Sequence, residues 1–166
     1  KRWQDEAIVQ LLASPTLHAD ETSLRVNKKN QWIHVYAAGL ITLKCLHPSR
    51  GLAAVNDINI IPLYGGTLIH DCLAQYLSLT HCSHGLCGSH ILRELTFVID
   101  SNGYVWAIQM KALLRATAKI VAKRKSKKLT TEEYQTLQRR YRTILTRGQQ
   151  AMPAIPAKRP GQRGKV

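Results

Sequence analysis

Asp20 and Asp71 are the residues of this sequence whose surroundings demand the most explanation. Each is an isolated acid in apolar, strand-like sequence, Asp20 within TLHADETSLRV and Asp71 closing TLIHD. Burying an unpaired carboxylate costs several kcal/mol. A hard cation relieves that cost, and Mg²⁺ characteristically takes one or two protein carboxylates together with substrate phosphate oxygens. If the two strands are neighbours, both carboxylates converge on one site. Two ions about 3.5–4 Å apart would there activate an attacking oxygen and stabilise a leaving one. The competing expectation is that both aspartates cap turns or sit in loops. Glu21 follows Asp20 along a strand and so points to the opposite face; it is not assigned to the site.

Glu94 is the candidate third acid, a lone carboxylate near the start of a helix that shares a face with His90 by four-residue spacing. The interval from Asp71 is short for the elements that must fit into it. His81, Cys82, His84, Cys87 and His90 invite a zinc reading, but zinc commonly takes two close ligand pairs separated by a longer loop. These five are too crowded for that, and Cys87 and His90 are expected to pack and orient the helix that follows. Arg50 and Arg93 can contact phosphate, although solvent exposure is the commoner fate of an arginine.

The net charge of +14 is concentrated at one end. Residues 1–110 carry eight Lys/Arg and eight Asp/Glu, whereas residues 111–166 carry sixteen and two. A neutral globular part followed by a basic part fits a polyanion, because Lys and Arg replace counterions along phosphates; a solvated basic helix and tail fits equally. The rows Lys111, Arg115, Lys119 and Lys123, with Arg124, Lys125, Lys127 and Lys128 of the KRKSKK run, are the candidate DNA-binding residues. Their contacts would position a backbone rather than read bases. No stretch of ~18 apolar residues spans a membrane. Without a signal-like start, the four cysteines are expected as free thiols. The missing initiating Met suggests a fragment or processed product.

The elements that must position these groups follow from periodicity. Residues 3–13 have helical apolar spacing and end at Ser14-Pro15. Strands are predicted over Thr16–Val26, Gln31–Tyr36 and Ile41–His47, with a turn at residues 27–30. A short helix is expected at Leu52–Ile58, a strand at Thr67–His70 and a helix at Leu73–Leu79; residues 85–88 are too short to assign. From Ser89 a helix runs to Asn102-Gly103, then a long one from Tyr104 to about Ser126, and another from a Thr130/Thr131 cap to about Thr146. The tail beyond Gly148 is Pro/Gly-rich and basic, hence linker-like. The division expected is 1–15 leading in, 16–103 as catalytic core, 104–148 as a basic helical segment or insertion, and 149–166 as tail. Three antiparallel strands, a helix, a further strand and then helices is the order of an α/β, ribonuclease-H-like core, although a generic α/β sandwich gives the same string.

The segment LHADETSLRVNKKNQWIHVYAAGLITLKCLHPSRG, followed by GTLIHDCLAQY and LCGSHILREL, resembles the central region of the transposase family named after insertion sequence sixty-six. That family has an h-x-D-E-T strand, a Trp-centred strand, a second aspartate motif and a Cys-x-x-His segment. The resemblance implies a ribonuclease-H-like fold, Mg²⁺ or Mn²⁺, and metal-dependent cleavage and strand transfer of insertion-element ends. It implies DNA as partner, no membrane, an assembly of several copies by analogy, and a bacterial cytoplasmic, nucleoid-associated setting. Its first two acids fall on Asp20 and Asp71; the third is Glu94 or a glutamate beyond Val166. Two other readings stay open: a catalytically incomplete remnant that binds DNA through its basic helices, and a ribonuclease or repair nuclease on the same fold.

Overall fold

The computed structural model describes residues 2–153 and divides into two compact units, Lys1–His90 and Ile91–Val166. The expected tail from residue 154 onward lies outside the described residues. No helix among those described is long and apolar enough to cross a membrane.

The first unit is built on a five-stranded sheet of order β3-β2-β1-β4-β5. Helix α1 (Arg2–Ala13) precedes β1 (Thr16–Val26), β2 (Lys29–Ala38) and β3 (Ile41–His47), which form an antiparallel meander. Asn27 and Lys28, at φ 50° and 65°, make the two-residue turn between β1 and β2. That tight turn lets β2 begin two residues before the predicted start, at Lys29. After α2 (Leu52–Ile58) and a single 3₁₀ turn, β4 (Thr67–His70) runs parallel to β1 on its other edge. Helix α3 (Ala74–Leu77) then leads to β5 (Ser83–Leu86), parallel to β4. An antiparallel β1–β3 meander with β4 and β5 added in parallel beside β1 is a ribonuclease-H-like sheet.

Strand alternation decides which groups are buried. Along β1, Leu17, Ala19 and Glu21 face the core while His18, Asp20 and Thr22 are exposed. Leu17 and Ala19 pack with Leu11 of α1, Tyr36, Leu43, Val55 of α2, Ile60, Ile61, Tyr64, Leu68 and Tyr76. Gly66 sits where the chain enters β4, and a methyl group there would lie 2.7 Å from Tyr64 Cζ and 3.0 Å from the Pro15 carbonyl. The Tyr64 hydroxyl donates to the Ser14 carbonyl at 3.0 Å, joining the entries to β1 and β4.

Helix α4 (Gly88–Asn102) crosses the boundary between the units. In the second unit Leu95 packs with Ala107, Met110 and Leu113 of α5 (Val105–Lys123) and Ile144 of α6 (Thr131–Ala151). Thr130 caps α6 with Glu133 in a reciprocal capping box, as the Thr-Glu spacing predicts.

Candidate active site

The paired register of β1 and β4 ends at His18 opposite Ile69. Asp20 and Asp71 each stand two residues past that pair, at the same end of two adjacent parallel strands. Asp20 is exposed, and its Oδ1 accepts from the Glu21 backbone N–H at 2.9 Å. Asp71 is half-buried just beyond β4, and its Oδ1 accepts from the Leu73 N–H at 3.1 Å. That bond fixes the turn into α3. Each carboxylate thus keeps one oxygen without a hydrogen bond among the described residues. This is the donor chemistry a hard divalent cation takes, and two carboxylates are within what Mg²⁺ uses. Among the described residues, no three His, Cys, Asp or Glu side chains form a group able to hold a metal ion.

On the core face of the same strand end, Glu21 is anchored rather than available. Its side chain is fully buried; Oε1 accepts from Arg50 Nε at 2.8 Å and Oε2 from the Tyr76 hydroxyl at 2.8 Å. Burial first, then the neighbouring Glu21 charge, pushes the Tyr76 hydroxyl far up, so it remains a donor. Arg50 Nη2 lies 3.7 Å from Asp71 Oδ2. The alternation of β1 foretells that Glu21 turns away from Asp20; its partners, remote in sequence, it does not foretell.

Glu94 lies on α4, exposed, and belongs to the second unit. Of the His and Cys residues, His81 Nε2 donates to the Ile61 carbonyl at 2.9 Å, and His84 links buried His70 to the Leu79 carbonyl. Cys87 immediately precedes α4. Burial raises its thiol, but hydrogen bonds from the His90 side chain and the His90 and Ser89 backbone lower it further, to a net position below the ordinary thiol range. The four cysteines are unpaired.

The basic candidates scatter over the second unit. Arg115, Lys119, Lys123, Lys125, Lys127 and Lys128 are exposed and Lys111 is half-buried. Arg124 is committed elsewhere: it forms a two-point ion pair with Glu133, at 2.6 and 2.5 Å. Arg93, Lys111 and Arg115 line one groove between α4 and α5. A second groove, between α5 and α6, has Ala112 and Ala116 on one wall and Arg139, Arg140 and Arg147 on the other. The α6 arginines lack the four-residue spacing that marks the α5 row, so their shared groove emerges only from helix packing.

The sequence profile of the family described as Transposase IS66 family matches residues 1–163. Among solved structures, the chain is similar to the HTLV-2 integrase catalytic core domain in complex with magnesium. The trimeric form is 16% identical, with 57% of this chain and 78% of that chain covered at a TM-score of 0.38. For the dimeric form the values are 15%, 55%, 77% and 0.37. None of the curated proteins matches the chain.

Proposed function

The chain belongs to the IS66 family of transposases, and from that premise we propose that it carries metal-binding acids for cleaving and joining the DNA ends of an insertion element. The observation that carries this reading is the placement of Asp20 and Asp71 at one end of adjacent parallel strands, each with one carboxylate oxygen that accepts no hydrogen bond among the described residues. Held there, Mg²⁺ or Mn²⁺ would supply Lewis acidity to the attacking and leaving oxygens of a phosphodiester. Asp20 and Asp71 would hold the cation, and no side chain becomes covalently joined to DNA. Water is the first attacking group and a DNA 3′-hydroxyl the second. Glu94 is this chain's candidate for the third acid. The basic side chains of α5 and α6 hold the DNA backbone without reading its bases.

The test is Mn²⁺-dependent nicking of terminal-repeat DNA by the wild type and by Asp20→Asn, Asp71→Asn and Glu94→Gln. Loss in both aspartate variants with folding retained supports the reading, and undiminished activity in either removes that residue from the site. A Glu94→Gln variant as active as the wild type removes Glu94 alone. A second reading, DNA binding without catalysis, is supported by the concentration of basic side chains in residues 111–166. Strongly salt-dependent binding with no metal-dependent cleavage would select it.

A further inference from the structure

Arg50 is held on three sides. Its Nε donates to buried Glu21, its guanidinium carbon lies 5.1 Å from the Trp32 ring centroid, and its backbone carbonyl accepts from Gln75 Nε2 at 3.0 Å. Both Glu21 oxygens are occupied, one by Arg50 and one by Tyr76, so this carboxylate acts as a fixed anchor. The Nη2 of Arg50 sits 3.7 Å from Asp71 Oδ2, an ion-pair distance but too long for a hydrogen bond.

An arginine carries five N–H donors in a rigid fork. Here the Nε–H is used, while the donors on Nη1 and Nη2 have no hydrogen-bond partner among the described residues, and the side chain is 40% exposed. A purely structural arginine does not need an open donor edge beside an acidic site. A fixed, planar, weakly hydrated cation with that edge is complementary to the non-bridging oxygens of a phosphodiester. Its orientation is already set by Glu21 and Trp32, so little reorganisation is needed when the anion arrives.

We infer that Arg50 is a substrate-binding residue, donating from its Nη edge to a non-bridging oxygen of the DNA phosphodiester brought to Asp20 and Asp71. The inference rests on the reading of those aspartates as the metal-holding acids, and its test separates the two. A lysine is a poor replacement for Arg50, because its three donors share one nitrogen and an ammonium held at Glu21 has no planar second edge to present to the phosphate.

The experiment follows the Arg50 Nε–Hε resonance and the Asp71 backbone amide of the ¹⁵N-labelled chain as dimethyl phosphate is added, with and without Mg²⁺. Both signals should shift saturably in the wild type, and Arg50→Lys should weaken the response at the Asp71 amide by about tenfold, a factor equal to about 1.4 kcal/mol. If these two signals stay still while other arginines respond, or if Arg50→Lys binds as tightly as the wild type, the inference is overturned. The wild-type titration decides the matter even should the lysine variant misfold. Mg²⁺ alone should shift the Asp20 and Asp71 amides, and Asp71→Asn should abolish this. Persistence of the Mg²⁺ shifts in that variant overturns the metal reading. The Arg50 signal of Asp71→Asn must still answer to dimethyl phosphate, since the guanidinium edge stays open.

Discussion

Arg50 Nε and Glu21 Oε1 meet at 2.8 Å in an ion pair whose acid is wholly buried and whose base is 40% exposed. Removing the base strands a buried carboxylate with the Tyr76 hydroxyl as its remaining side-chain partner. Breaking a buried pair from one side typically costs about 3–5 kcal/mol, so Arg50→Ala should destabilise the chain by that order. Glu21→Gln keeps a hydrogen-bonding side chain without the charge and should cost less, about 1–3 kcal/mol. Urea unfolding of both variants measures the difference, and equal losses would show that charge compensation is not what Arg50 supplies.

The sequence made the site's scaffold legible wherever alternation was clean. Strands β1, β3 and β4 and helix α2 have the boundaries that periodicity predicts. Alternation also separates Asp20 from Glu21 correctly. Strand β5 escaped because SHGL offers one large apolar side chain, and its place is set by backbone pairing to β4. The Glu21–Arg50–Tyr76 cluster was hidden for a different reason: its members lie far apart in the chain, and no local pattern joins them. Arg124 reads from sequence as one more cation of a basic run, yet its charge is spent on Glu133.

Gly66 and Gly65 are neighbours with opposite expectations. A methyl at Gly66 meets Tyr64 Cζ and the Pro15 carbonyl, and Tyr64 cannot swing aside without breaking its bond to Ser14. Gly66→Ala should therefore cost about 1–3 kcal/mol through overpacking. Gly65 has nothing within 4 Å of the added carbon, and its alanine variant should stay within about 0.5 kcal/mol of the wild type. Thermal or urea unfolding of the pair checks this, and a harmless Gly66→Ala would show that the β1–β4 entry is not tightly packed.

The start of α6 should be acid-sensitive. The Arg124 guanidinium, followed by the Thr130 backbone, holds the Glu133 carboxyl down at about 2, well below the ordinary carboxylate range. A depressed folded-state value stabilises the helix above that ordinary range, and the contribution disappears as pH falls toward about 2. Glu132 is lowered in the same direction, by its own backbone N–H and then the Thr130 hydroxyl. Helicity of the wild type should thus fall with acid below the ordinary carboxylate range, less steeply in Glu133→Gln and less at high salt, where exposed pairs are screened. Thr130→Ala should cost about 1 kcal/mol at neutral pH through the lost cap. Circular dichroism against pH at two salt concentrations tests this, and an unchanged acid slope in Glu133→Gln would refute the assignment.

The α5–α6 groove makes a prediction about DNA that sequence spacing alone would have placed on other residues. Arg139, Arg140 and Arg147 line this groove, and none has a carboxylate partner among the described residues. Arg142 lies on the same helix but does not line it, with Nη2 3.5 Å from Gln138 Oε1. If the groove holds duplex DNA by its phosphates, each lining arginine releases counterions on binding. The slope of log affinity against log salt should then become shallower by about 0.9 for each arginine replaced with glutamine. The triple glutamine variant should lose nearly three times that amount, while Arg142→Gln and Arg124→Gln leave the slope almost unaltered. The affinity loss should be uniform across DNA sequences, because phosphate contacts position without reading bases. Fluorescence anisotropy over a salt series measures these slopes. Equal slopes for the triple variant and the wild type would move the DNA contact to the α4–α5 groove, where Arg93, Lys111 and Arg115 converge.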